Sequence, residues 1–144
     1  MVKVSITTNS NLNGNISQTN ISLIDKGHQK LVDVLSHIKR LLITGGDKND
    51  LTEIFFSLSY FFENYLLKEE LFLKKSGYPN LENHSSSHKE FMREIVRLKD
   101  SVDNDTITVL NELGAFIADW LQNHETSYND ELINFLVKKG FINS

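Results

Sequence analysis

Two of the five histidines in this chain, His84 and His88, stand four residues apart in the run HSSSHKEF. Residues at that spacing share one face of a helix, with β-carbons about 6 Å apart, so both imidazoles can turn to one metal ion. The chain has no cysteine, so thiolate ligation is excluded and a metal must be held by nitrogen and oxygen. Glu69 and His124 fall on the apolar stripes of two other predicted helices, where an unpartnered carboxylate or imidazole is costly. Together the four residues offer three nitrogens and an oxygen to one buried, charge-compensated cation. The competing reading is that each inward histidine is a hydrogen-bonded core residue, and an HxxxH pair alone does not decide between them. Convergence from three helices, with a buried carboxylate to balance charge, favours metal binding. His28 lies on the stripe of the first helix and Tyr65 on that of the second, four residues before Glu69. His37, nine residues past His28, falls off the stripe and is expected at the solvent-exposed face.

Four long amphipathic segments must position these side chains. A single proline, few glycines and apolar residues every three or four positions predict an all-α fold. The first helix is expected from Asp25 to Leu42, with His28, Leu31, Val32, Leu35, Ile38 and Leu42 inward. The second runs from Asp50 to Ser76, with Leu51, Ile54, Phe55, Leu58, Phe62, Tyr65, Glu69 and Phe72 inward, and stops at Gly77 and Pro79. The third covers Leu81 to Lys99 and the fourth Thr106 to Glu125; a short C-terminal helix covers Asp130 to Lys139. Short connections make successive helices antiparallel, giving an up-down-up-down four-helix bundle. Residues 1–21, rich in Asn, Ser and Thr without periodicity, are expected to form a polar N-terminal arm, and residues 22–144 the bundle.

A net charge of −4 with 40% hydrophobic residues describes a chain without the basic surface that nucleic acid or an anionic membrane attracts. The chain also lacks a long apolar span and a leader-like N-terminus, so a cytoplasmic location is expected.

The segments IDKGHQKL (Ile24 to Leu31), YFFENYLLKEELFLKKSGYPNLENHSSSHKEF (Tyr60 to Phe91) and WLQNHETSYND (Trp120 to Asp130) resemble the hemerythrin family, in particular its bacterial members. Those proteins share DxxH on the first helix, HFxxEE on the second, GYPxxxxHxxxH leading into the third, and WLxxH followed five residues later by Asp on the fourth. The resemblance covers all four helices. It implies a four-helix bundle around a non-heme di-iron site that binds dioxygen for carriage, storage or sensing. By this resemblance His28, Glu69, His84, His88 and His124 stand at ligand positions. Two positions depart: Tyr65 replaces a ligand histidine, and Asn129 stands where the family has a bridging aspartate. One iron keeps His84, His88, His124 and Glu69. The second is left with His28 and a share of Glu69, and Tyr65 is either a ligand to oxidised iron or a core tyrosine beside an empty position. The expected cofactor is therefore non-heme iron, one ion or the family's two, and the expected partner is dioxygen or another small diatomic such as nitric oxide. Two other readings remain open: a mono-iron redox enzyme acting on peroxide or oxygen, and a degenerate metal-binding interaction protein.

Overall fold

The computed structural model describes residues 22–101, 105–124 and 130–140; the N-terminal arm and Asn129 lie outside them. Helix α1 spans Ser22–Thr44, α2 Lys48–Phe61, α3 Leu67–Ser76, α4 Leu81–Lys99, α5 Thr106–His124 and α6 Asp130–Lys138. A single π-helical turn, Phe62–Leu66, joins α2 to α3 as one rod. All described elements are helical, and α1, the α2–α3 rod, α4 and α5 form the bundle. Each of these four packs against its two neighbours in the order α1, rod, α4, α5 and back to α1.

The boundaries follow local chemistry. Asp47 caps α2: its side chain accepts from the Asp50 backbone N–H, and the Asp50 side chain accepts from that of Asp47, each at 2.9 Å. Two orphan N–H groups are thereby satisfied at the helix start. At the end of α3, Gly77 takes φ +76°, a left-handed conformation that glycine adopts without strain. Tyr78 N–H then closes on Leu73 O at 3.0 Å, and Pro79 follows. Asp105 precedes α5 and accepts from Thr108 N–H at 3.2 Å. Helix α1 starts three residues earlier than expected, which places Asp25 within its first turn.

Leu31, Val34, Ile38, Leu51, Ile54, Leu58, Phe61, Phe91, Ile95, Leu110, Leu113 and Ile117 fill the main core. On the rod, the buried positions run Leu51, Ile54, Phe55, Leu58, Phe61 and then Leu66, Glu69, Leu73. The step of five from Phe61 to Leu66 crosses the π turn, closed by Leu67 N–H on Phe62 O. One extra residue turns all later side chains by about 100° relative to an uninterrupted helix. The straight-helix stripe is therefore corrected: Phe62, Tyr65 and Phe72 are half-buried, and Phe61, Leu66 and Leu73 hold the interior. His37 is likewise half-buried, on a helix whose inward face is wider than a narrow stripe.

A second cluster, built on Leu73, Tyr78, Leu132 and Leu136, seats α6 against the α3–α4 turn. Phe135 of α6 meets the Tyr78 ring at 5.1 Å, and Asn80 hydrogen-bonds Glu131.

Candidate metal centre

Glu69 on α3, His84 and His88 on α4 and His124 at the last position of α5 come together in the bundle interior. Each offers a ligand atom, and the four atoms lie within 4.8 Å of one another. His84 and His88 are fully buried, Glu69 is 6% exposed and His124 9%. The α4 pair is one helical turn apart, with ring centroids at 4.6 Å, and His124 lies 4.9 Å from the His84 ring and 5.4 Å from that of His88. Trp120, one turn before His124, stacks on its imidazole at 4.3 Å and fixes the ring plane. Tyr78 presents its ring edge-on to His84 at 6.2 Å. Burial, with help from Glu131, pushes the Tyr78 phenol up to about 12, so it stays protonated.

The electrostatics suit a cation. Burial pushes Glu69 up, but His84 and His88 together outweigh it and hold the carboxylate well below its ordinary value. His84 Nε2 hydrogen-bonds Glu69 Oε1 directly. Burial pushes His88 down, and Glu69 and Glu70 outweigh it and hold the imidazole above its ordinary value. Burial drives His124 well below its ordinary value, so it presents a neutral ring. A neutral ring keeps the lone pair that a metal needs.

Glu70 completes the arrangement. Its Oε2 accepts from His88 Nδ1–H at 2.8 Å, and its Oε1 accepts from the Ser85 hydroxyl at 2.6 Å. With the proton held on Nδ1, the buried Nε2 of His88 faces Glu69 Oε1 at 3.4 Å without a hydrogen bond to any group. Once the ring gives up its second proton, this buried nitrogen offers a lone pair toward Glu69, the fit expected for a metal ligand backed by an outer carboxylate. Neither Glu70 nor Ser85 was among the site residues expected from the sequence. The adjacent acids Glu69 and Glu70 carried a trace of it, but only the facing of α3 and α4 shows which histidine the second acid holds.

A cavity of about 30 Å³ adjoins the cluster on its α1 side. Its walls include His28, Tyr65, Leu66, Glu69, Trp120 and His124. His28 and Tyr65 therefore stand beside the cluster rather than in it, at the position where the sequence resemblance put a second, weakened iron. Asn129 lies outside the described residues. Among the described residues no helix is long and apolar enough to cross a membrane.

Residues 19–136 match the family described as the hemerythrin HHE cation binding domain. No curated protein matches the chain.

Proposed function

This chain belongs to the hemerythrin family, and from that premise we propose that Glu69, His84, His88 and His124 hold one non-heme iron that binds dioxygen or another small diatomic ligand. The observation that carries the proposal is the convergence of four buried ligand atoms within 4.8 Å, beside a cavity of about 30 Å³. Iron held there would supply a redox-active centre able to take a diatomic ligand.

The chain's own residues prepare that centre. Glu69 supplies the negative charge that makes a buried cation tolerable, and the three imidazoles supply nitrogen donors. Glu70 keeps the proton of His88 on Nδ1, away from the metal side. Trp120 and Phe91, with rings 4.7 Å apart, exclude water from one flank. The cavity can hold a water molecule or a diatomic. A second ion in that cavity would have His28 and Tyr65 nearby but no second acid among the described residues that line it. Two divalent ions facing one carboxylate are electrostatically disfavoured, which supports one ion rather than two.

The test is metal analysis of freshly isolated, untagged protein, followed by visible spectra under dioxygen and under nitric oxide. One iron per chain and a spectral response to either gas are expected. Zinc at the same stoichiometry, with no response to either gas, would replace this reading with a structural metal, since three histidines and a carboxylate also suit zinc.

A further inference from the structure

The small cavity beside the metal cluster and a groove on the outer surface of the rod share a single wall. The inner cavity, about 30 Å³, is bounded by residues of α1, the rod and α5. The groove, about 990 Å³, runs along the outside of the rod past Phe56 and Tyr60. Among the described residues Tyr65 alone lines both. Its aromatic neighbours divide the same way: Phe61, 6.0 Å away, faces the cavity, and Tyr60, 6.3 Å away, faces the groove.

Across from Tyr65 the wall of α1 is backbone. Gly27 is buried there, and a β-carbon at that position would come within 3.0 Å of the Tyr65 β-carbon. At Gly27 α1 packs closely on the base of the Tyr65 side chain, and among the described residues that side chain is what stands between the cavity and the groove. Tyr65 is also half-buried and lies in the π turn, which is what turns it from the predicted core stripe toward α1.

The geometry points to Tyr65 as the gate and size filter between the groove and the metal centre: by this route small ligands pass to the cavity where its ring moves aside, and larger molecules are held out. The inference rests on the proposed function only for the identity of the ligand; the barrier itself belongs to the metal-free chain. The ring does the work, and the hydroxyl is not required. This separates a gate from a ligand, whose role would end with loss of the oxygen.

The experiment has two arms, both run on the full chain as natural protein, Tyr65→Phe, Tyr65→Leu and Tyr65→Ala. In the metal-free arm, diethyl pyrocarbonate acylates the proteins and mass spectrometry reads His124, which lines the cavity, against half-buried His37 as internal reference. The His124:His37 ratio should rise at least about fivefold in Tyr65→Leu, more in Tyr65→Ala, and stay at the natural value in Tyr65→Phe, as expected when a barrier to encounter is removed. In the metal arm, iron content is measured first, and azide and imidazole are then mixed with the oxidised protein. Azide should bind about tenfold faster in Tyr65→Leu, and imidazole should bind only in the Leu and Ala variants. Tyr65→Leu keeps an apolar helix former and so remains informative if Tyr65→Ala does not fold. Equal acylation ratios in the natural protein and Tyr65→Leu would overturn the gate, as would a Phe variant that behaves like Leu. Natural protein without iron would defeat the proposed function alone, and the acylation ratio would still decide on the gate.

Discussion

Replacing Glu70 tests the centre through a residue that touches no metal. Its two oxygens are both engaged, by His88 Nδ1–H at 2.8 Å and by the Ser85 hydroxyl at 2.6 Å. Burial pushes the Glu70 carboxyl up, but His88 and Ser85 outweigh it and keep it ionised. Loss of such an outer partner costs about 10- to 100-fold in metal affinity, which corresponds to about 1.4–2.8 kcal/mol. Glu70→Gln keeps an acceptor for the Nδ1 proton but removes the charge, and charge-assisted hydrogen bonds are about twice as strong as neutral ones, so it should fall near the lower limit, about tenfold. Glu70→Ala removes the acceptor as well and should approach the upper limit. An opposing effect has to be weighed. Glu70 also stabilises the proton that His88 holds in the metal-free protein, and that proton competes with the metal. Removing Glu70 weakens the competitor, so the loss of affinity should be greatest at alkaline pH, where His88 is already neutral, and should shrink as the pH falls. Competition against a chelator, with iron or cobalt at two pH values, measures both effects. An alkaline affinity unchanged in Glu70→Ala, or a loss that grows toward acid, would refute the assignment.

Three further outcomes are expected. His84→Ala or His124→Ala should abolish stoichiometric metal binding, because each removes one of the four proposed ligands; in the natural protein, metal at about 100 times its dissociation constant should add about 2.7 kcal/mol of stability, read by thermal melts with and without metal, and the mutants should lose that increment. Tyr65→His combined with Asn129→Asp should bind more iron per chain than the natural protein by restoring the histidine and the aspartate that the family has at these positions; metal analysis checks it, and an unchanged iron content would count against a second metal position. In the metal-free protein the His88 contribution to stability should be fully present below 6.5 and lost as pH rises through its raised native value. The depressed His124 acts on the other side, lowering stability as pH falls through 6.5 because the unfolded chain takes up the proton, while Glu69 contributes above 4.5 and loses its contribution as pH falls through its depressed native value. Melts across this range should therefore show decline on both flanks, and Glu70→Gln should flatten the alkaline one.

The helices and most of the centre were legible in the sequence because both depend on local periodicity. An apolar residue every three or four positions places Leu31, Ile38, Leu58, Phe91 and Ile117 inward whatever the partner helix. The same periodicity exposes Glu69, His84, His88 and His124 as polar residues that burial would make costly unless they met. Periodicity assumes a constant turn, however, and the π turn at Phe62–Leu66 breaks it. No composition marks that turn, and both halves of the rod pack on α1 and α4 across it. Its consequences were therefore decided by tertiary structure alone: Leu66 in the core in place of Phe62, and Tyr65 between the cavity and the surface groove. The same holds for Glu70, which lies beside Glu69 in the chain but finds His88 only across the α3–α4 interface, 18 residues on. Sequence spacing determines which side chains can share a face, and the packing of one helix on another determines which atoms then meet.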